Sequence, residues 1–425
     1  MSLCCKAFFE IIYPLVNGKI LCISRIFALH YLLLIMFQPD FLPELSRRWL
    51  ALQQQMHTAG ADACISTIYV NLFYLTDSIY NGYFYLPAVG EPILFVKRPS
   101  GLKGENVHYI RKPEQLPEVL SEKGLAIPRT LMLELDELPY NDVERLKTVV
   151  GAEKLLNATT AIRRLREVKS DYEIGLLRHS GALHAACYAE VPGLYRTGMT
   201  DLDFSIEIER LFRQKGATGH FRVFGQTMEL FMGSVLAGDN ASNASPYDFA
   251  MGGAGPHKSM PISANGTVIE PGCTVMVDMG GTFTGYISDM SRVFSLGRVS
   301  ELAYKAHQTA LEIQSDIEAV ARPGVATADL YHRALEKVKH NQLAPYFMGY
   351  HQQAGFIGHG IGIQINEAPV LAPRSREVLL EGHVFALEPK FVIPGVGAVG
   401  VENSFAVHAN GIEKLTILKE EIVAL

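Results

Sequence analysis

Apolar residues follow helical spacing near the start of the chain. Leu45, Trp49, Leu52 and Met56 recur three or four residues apart between residues 43 and 60, which predicts an amphipathic helix. Short apolar runs follow at 63–70, 83–86, 92–96 and 130–135, and their lengths are typical of buried strands. This alternation predicts an N-terminal α/β domain built on a mixed sheet.

Helical spacing returns in the second part of the chain. One long helix is predicted over 161–189, and three more are predicted behind hydroxyl residues that cap helices well. They run from Thr200 to about Lys215, from Ser300 to about Val320 and from Thr327 to about His340.

An internal repeat accompanies these helices. Residues 191–202 and 320–330 both read as the end of a helix, an Arg-x-Gly turn and a Thr-capped helix, and both lead to a hairpin with two acids. Two copies related by a pseudo-two-fold axis would place the acids on either side of one central site. Chance similarity around a common glycine turn is the alternative.

The two hairpins carry the most informative residues of the chain. The first reads CTVMVDMGGTFTGYISDMSRVFSLG and turns around Gly281–Gly285, which sets Asp278 opposite, or nearly opposite, Asp289. The second reads FALEPKFVIPGVGAVGVENSFAV and turns at residues 394–396, which sets Glu388 opposite Glu402.

Like charges in facing positions, with Cβ atoms roughly 5 Å apart, destabilise a sheet. The neighbouring residues are apolar, so these carboxylates are predicted to be buried, and an unpaired buried carboxylate costs several kcal/mol. Two such pairs indicate a bound cation. For either pair alone, a solvated hairpin edge is the alternative.

A fifth candidate ligand, His359, lies between the hairpins in GFIGHGIGIQINEAP. Glycines on both sides allow another backbone or a ligand to come close; a core histidine is the alternative. Four carboxylates and one imidazole suit Mn²⁺, Fe²⁺, Co²⁺ or Zn²⁺. Four carboxylates are too many for one ion, so we predict a bridged site with two divalent metal ions, Mn²⁺ first among them.

These residues follow the pattern of a known superfamily. Asp278, Asp289 eleven residues later, His359 in GHGIG, Glu388 in LEP and Glu402 in VEN resemble the metal ligands of the creatinase/prolidase/methionine-aminopeptidase superfamily. The resemblance implies an α/β (α+β) protein. Its parts would be an apolar extension over 1–36, a creatinase-like mixed α/β domain over 37–158 and a pita-bread catalytic domain with a pseudo-two-fold repeat over 159–425.

Three positions depart from the pattern of the active peptidases. Ile262 and Asn366 stand where these enzymes usually have histidines, and Gly400 stands where prolidase-like enzymes often have an arginine. His257 or His220 is left open as a replacement imidazole. The resemblance implies that Glu388, or alternatively Glu367, handles the proton of the attacking water, while Asn366 donates a hydrogen bond to the substrate.

The resemblance favours a metal-dependent hydrolase of a small peptide or amide, closest to Xaa-Pro dipeptidase or aminopeptidase P. A non-catalytic or altered-specificity pita-bread protein that binds a peptide or small ligand is the alternative. A third possibility is a creatinase-like hydrolase of a non-peptide C–N bond, which the complete ligand set disfavours. A homodimer is expected.

The composition of the chain limits the classes of partner and the cellular compartment that we expect. A length of 425 residues and a hydrophobic content of 48% suit two or three globular domains. The net charge of −6 argues against a nucleic-acid partner. Six cysteines without paired CxxC spacing indicate reducing cytoplasm.

The first 36 residues are apolar but carry charges, and their longest uncharged stretch is shorter than the roughly 18–20 residues of a membrane-spanning helix. A start at Met36 is favoured and no stable membrane partner is expected, with a membrane anchor as the alternative.

Overall fold

The computed structural model describes residues 41–225, 228–247 and 249–425. By compactness the chain divides into Met1–Ala51 and Leu52–Leu425, and all the strands and candidate site residues lie in the second unit. The extension over 1–36 and the proposed start at Met36 lie outside the described residues. Among the described helices, none combines the length and the hydropathy needed to cross a bilayer.

A six-stranded mixed sheet forms the first part of the second unit. Its strands are β1 (Ala63–Ser66), β2 (Asn81–Pro87), β3 (Ile93–Arg98), β4 (Val107–Tyr109), β5 (Thr130–Leu133) and β6 (Lys154–Asn157). They lie in the order β4-β3-β2-β1-β5-β6, and only the β1–β2 and β2–β3 pairs are antiparallel. The helices of this region are α1 (Leu42–Ala59), α2 (Tyr69–Thr76), α3 (Leu116–Glu122) and α4 (Tyr140–Val150).

The composition of the apolar run over 63–70 suggests a single strand, but the run is divided between a strand and the start of a helix. β1 ends at Ser66, and α2 begins three residues later. The buried Glu134 carboxylate accepts hydrogen bonds from the backbone N–H groups of Thr67 (2.8 Å) and Ile68 (3.0 Å). A distant acid therefore satisfies the N–H groups at the start of α2, which local spacing does not reveal.

The long helix predicted over 161–189 is interrupted. It forms α5 (Thr159–Glu167) and α6 (Asp171–Glu190), separated by an extended Val168. The Lys169 N–H donates to the Gly382 carbonyl at 2.8 Å, and the Ser170 hydroxyl accepts from the Glu173 N–H to cap α6. Tertiary pairing and a new cap therefore replace one turn of helix.

The remaining elements form two halves of similar construction. The first half packs α6 and α7 (Asp201–Gln214) with β7 (Gly233–Ala237), β8 (Thr274–Gly281) and β9 (Ser288–Ser295). The second half packs α8 (Glu301–Val320) and α9 (Thr327–His340) with the strands β10 (Gly358–Gly360), β11 (Glu367–Val370), β12 (Val384–Leu387), β13 (Lys390–Ile393), β14 (Gly397–Gly400), β15 (Asn403–His408) and β16 (Gly411–Lys414). The last strand, β17 (Val423–Ala424), joins the sheet of the first half beside β9.

The two copies of the repeat share the order of their elements, but the helix of the second copy lacks the side-chain cap of the first. Thr200 caps α7, since its side chain accepts from the Asp203 N–H. At the corresponding place Ala326 precedes α9 without a side-chain cap, and the Thr327 hydroxyl instead donates to Ser375 at 2.8 Å. The predicted Thr cap of the second copy is therefore wrong, because this hydroxyl is used in a tertiary contact.

Candidate metal centre

The first pair of acids lies on the hairpin formed by β8 and β9. Asp278 is paired with Ser291 and Asp289 with Gly280, so the two acids are displaced diagonally by two residues on one face. Long side chains at such diagonal positions still reach each other. Both side chains are buried.

The second pair of acids lies where the β12–β15 ladder passes into the β13–β14 hairpin. Leu387 pairs with Asn403 and Lys390 pairs with Gly400, and the same register carried between them sets Glu388 opposite Glu402. Both carboxylates are almost completely buried, at 2% and 1% exposure. The second hairpin turn, over 394–396, is the predicted one.

His359 lies on β10 next to β12 and faces both pairs. Its Nε2 atom is 3.4 Å from Oε1 of Glu388 and 3.7 Å from Oδ2 of Asp289. Its Nδ1 atom is 3.2 Å from the Gly360 carbonyl oxygen, which accepts a hydrogen bond from it. That contact orients the ring so that Nε2 points to the acids, as in histidines that bind metals.

The structure adds one residue that sequence reasoning missed. Nζ of Lys390 donates to Asp278 at 2.7 Å, to Glu388 at 2.8 Å and to Glu402 at 2.9 Å. Its side chain is 1% exposed. A signal was present in the sequence, because residues two apart on a strand point to the same side, and Lys390 follows Glu388 by two.

Part of this donor set fits a divalent ion. Asp289, His359 and Glu402 each offer one ligand atom, and these atoms lie within 4.8 Å of one another. Two carboxylates and an imidazole suit a borderline divalent ion. One oxygen of Glu402 is already used by Lys390 and by the Ser291 hydroxyl, at 2.9 and 2.5 Å. The residues on the Asp289 side therefore fit one ion.

The pKa values of the acids are shifted differently, because all are buried and Lys390 is placed unevenly among them. Burial raises the pKa of Asp289 well above its usual range, and the Glu402 and Asp278 carboxylates raise it further. Burial also raises the pKa of Asp278, to about 6, although Lys390 counteracts it. For Glu388 burial is outweighed by Lys390 and His359, so its pKa is lowered. Asp289 is thus the acid that Lys390 compensates least.

Asn366 and Glu367 line the same cavity but are held by other partners. The Asn366 side-chain amide donates to the Phe224 carbonyl at 3.0 Å, and its oxygen accepts from the Phe224 N–H at 2.7 Å. The Glu367 carboxylate is paired with Arg166 at 2.5 Å and with Lys169 at 3.1 Å. Burial opposes its ionisation, but these two cations lower the pKa of Glu367 to about 2. Glu367 is therefore a poor proton acceptor.

Neither candidate for a replacement imidazole reaches the acids. His257 is exposed, with Nδ1 2.9 Å from the Ser259 hydroxyl. His220 lines a different cavity together with Arg222. Ile262, which stands in the place of the usual histidine, is buried at 1% exposure. Among the described residues that line the acid cavity, His359 is the single imidazole.

The cavity over the acids encloses about 750 Å³, including its open mouth. Its apolar wall consists of Phe221, Met228, Phe249, Ala250, Phe356, Ile365 and Val370. The described lining contains no lysine or arginine that faces the cavity. The site therefore combines a buried acidic floor with an apolar wall, a combination typical of small-molecule sites.

Fold and site together define a pita-bread domain with an acidic centre, and comparison with known proteins gives the family. Residues 175–409 match the model of metallopeptidase family M24, and residues 48–168 match that of the creatinase/prolidase N-terminal domain. The chain belongs to metallopeptidase family M24. Membership implies divalent metal ions at the site, and it confirms the superfamily predicted from the five-ligand pattern.

Similar proteins include peptidases of bacteria and archaea. A putative dipeptidase of Bacillus subtilis is 25% identical over 73% of this chain and 77% of its own length. An Xaa-Pro dipeptidase of Pyrococcus horikoshii is 25% identical over 67% of this chain and 73% of its own.

Solved structures confirm the expected fold. The prolidase from Pyrococcus horikoshii superposes with a TM-score of 0.71 at 21% identity, covering 89% of this chain and all of that one. An Xaa-Pro dipeptidase from Bacillus anthracis gives a TM-score of 0.73 at 23% identity, over 90% of this chain and all of that one.

Proposed function

We propose that the protein hydrolyses an amide bond of a small peptide or amide at the cavity above the acids. The observation that carries this proposal is the convergence of Asp278, Asp289, His359, Glu388 and Glu402 on one cavity with an apolar wall. The dipeptidase names of the similar proteins support a peptide or amide substrate.

Asp289, His359 and Glu402 would hold a divalent ion, with Mn²⁺ as our first choice because the donors are oxygen and imidazole nitrogen. Such an ion, when bound, acidifies water and polarises a carbonyl oxygen. Asp278 and Glu388, the other predicted ligands, are held by Lys390.

Glu388 is the residue that we assign to proton transfer. Its carboxylate lines the cavity, and contact with Lys390 and His359 keeps it ionised and therefore able to accept a proton. The apolar wall would exclude water around the bound substrate and favour an apolar side chain. Asn366 is predicted to donate to the substrate, and the Phe224 contact leaves only one of its two amide protons for that purpose.

The test is a panel of dipeptides, blocked dipeptides and simple amides incubated with the Mn²⁺-loaded protein. We expect turnover of at least one amide, and we expect Glu388→Gln to lose it while its circular dichroism spectrum remains that of the folded wild type. Turnover that survives in Glu388→Gln would contradict the assignment of Glu388.

A second function is favoured by one observation. Lys390 already neutralises part of the acidic floor, as expected of a site that binds a ligand without hydrolysing it. Calorimetry with the same panel distinguishes the two, because heats of binding without product formation would support the peptide-binding alternative.

We further propose a reducing, cytoplasmic location, a homodimer and domains over 37–158 and 159–425. The described cysteines, Cys64, Cys187 and Cys273, are buried free thiols, which supports the location. The N-terminal family match ends at residue 168 and the catalytic match begins at residue 175, which supports two domains with their division in this region of the chain.

A further inference from the structure

The Lys390 ammonium lies among the acids that the fold family uses for metal ions. Its three N–H donors meet three carboxylates, those of Asp278, Glu388 and Glu402, at 2.7, 2.8 and 2.9 Å. An ammonium group has three donors, so its hydrogen bonding is complete without water. Charge-assisted bonds of this length are strong ones.

We propose that Lys390 permanently occupies one of the two cation positions of this site, so that the protein binds a single divalent ion, at Asp289, His359 and Glu402. The inference rests on the proposed function only for the identity of the site. Metal content can be measured whether or not a substrate is found.

A second ion and this ammonium exclude each other. A divalent ion binds carboxylate oxygens at about 2.0–2.2 Å. Oδ2 of Asp278 and Oε2 of Glu402 already accept hydrogen bonds from Nζ of Lys390. An ion bound to both of these oxygens would occupy nearly the same position as the ammonium group. Two cations at such a distance repel strongly in a buried site.

The strand opposite Lys390 approaches it closely. Gly400 is the cross-strand partner of Lys390, and its φ of +145° is one that other residues rarely adopt. A Cβ atom at position 400 would lie 2.4 Å from the Pro389 carbonyl oxygen, 2.8 Å from Cα of Lys390 and 3.3 Å from its Cγ. The two backbones therefore leave no space for a side chain at position 400, where prolidase-like enzymes often have an arginine, and Lys390 is the cation that this hairpin supplies.

The lysine cannot easily leave, because its strand is buried throughout. All of β13 and β14 is inaccessible to solvent or nearly so, and the Lys390 carbonyl accepts from the Met348 N–H at 2.8 Å. Withdrawal of Nζ would leave a buried charge without a partner, which is strongly unfavourable.

The position of Asp289, the fourth acid, indicates where the single ion would bind. Lys390 makes no hydrogen bond with Asp289, whose carboxylate instead faces His359 at 3.7 Å. When all four acids are ionised they carry four negative charges, and one ammonium with one divalent ion supplies three positive charges. Two divalent ions beside the ammonium would leave the same pocket with a net positive charge.

The experiment is Mn²⁺ titration of the full chain, with bound metal measured by elemental analysis and by electron paramagnetic resonance. We expect about one ion per chain and the resolved hyperfine spectrum of an isolated ion. Lys390→Gly should raise the content to about two ions and give the broadened spectrum of a coupled pair. Two ions in the wild type, or none, would overturn the proposal.

Two aspartate variants provide matched controls that keep the lysine. Asp278→Asn should leave the content at about one ion, since Asp278 is bound to Lys390, whereas Asp289→Asn should lose the ion. Equal loss in both would show that Asp278 is a metal ligand and would also overturn the proposal. One bound ion without any turnover would contradict the proposed hydrolase and leave this inference standing.

Discussion

At the scale of single residues, the cavity contains two kinds of buried acid. Glu367 has both oxygens paired with fixed cations, Arg166 and Lys169, from the α5–α6 region. Asp289 has no lysine or arginine among its described ion-pair partners, which consist of His359 alone. The first kind holds the wall together, and the second is available to bind a metal.

Glu367→Gln should destabilise the protein by about 3–5 kcal/mol, because it leaves two buried cations without their partner. Urea unfolding at neutral pH measures this loss. Glu153→Gln, which removes an exposed pair with Arg129, is the control and should unfold like the wild type. A Glu367→Gln protein as stable as that control would show that the buried pairs contribute little.

The lowered pKa of Glu367 predicts that the free energy of unfolding depends on pH. The pKa of Glu367 is about 2 in the folded protein, below its usual value of 4.5, so its contribution to stability is fully present above about pH 4.5. It is lost as the pH falls from 4.5 towards 2. Unfolding free energies measured across this range should therefore fall less steeply in Glu367→Gln than in the wild type, and parallel curves would contradict the assignment.

At the scale of elements, α6 is held against the C-terminal part of the chain by a close backbone approach. A Cβ atom built on Gly181 would lie 2.5 Å from the Leu415 carbonyl oxygen. Gly175, two turns earlier in the same helix, has no atom within 4 Å of such a Cβ. One helix thus contains a glycine that packing requires and another that it does not.

These two glycines form a matched pair for mutation. Gly175→Ala should stabilise the protein by up to about 1 kcal/mol, because alanine favours a helix more than glycine does. Gly181→Ala should destabilise it by about 1–3 kcal/mol, because the added methyl group forces the helix away from Leu415. Thermal unfolding of both variants gives the comparison, and equal shifts in the same direction would show that the approach at Gly181 is not tight.

At the scale of the whole molecule, the cavity determines which substrates fit. The described lining includes seven apolar residues and no lysine or arginine that faces the cavity, and Gly400 cannot provide the arginine clamp of prolidase-like enzymes. A substrate with a free carboxylate would have to bury that charge without a partner, which is costly. We therefore expect preferred substrates to lack a free carboxylate at the end where prolidase-like enzymes bind one.

We expect weak or absent turnover of Ala-Pro and Gly-Pro. The missing arginine contributes ~1.5–3 kcal/mol and the imidazole missing at Ile262 ~3 kcal/mol, together ~10³–10⁴ in kcat/KM if they add. The corresponding dipeptide amides avoid the first loss and should be cleaved faster. Steady-state kinetics on each acid–amide pair tests this, and faster cleavage of the free acids would show that another group binds the carboxylate.

Much of the fold followed from local patterns. Helix starts at Thr200 and Ser300, four of the six strands of the first sheet and both acidic hairpins were predictable, because spacing, caps and turn residues act over a few positions. The four acidic candidate ligands were found for the same reason, since the facing positions on a hairpin follow from the location of its turn. His359 was found by the glycines on both sides of it.

Contacts between distant segments decided the rest. The break before α6 depends on Gly382, and the amide of Asn366 is held by Phe224. The charge at the centre depends on a lysine that meets Asp278 from a strand more than 100 residues further along the chain. The sequence by itself determined that four buried acids need cations. Only the tertiary structure decided that one of those cations is Lys390, because that choice depends on three-dimensional packing.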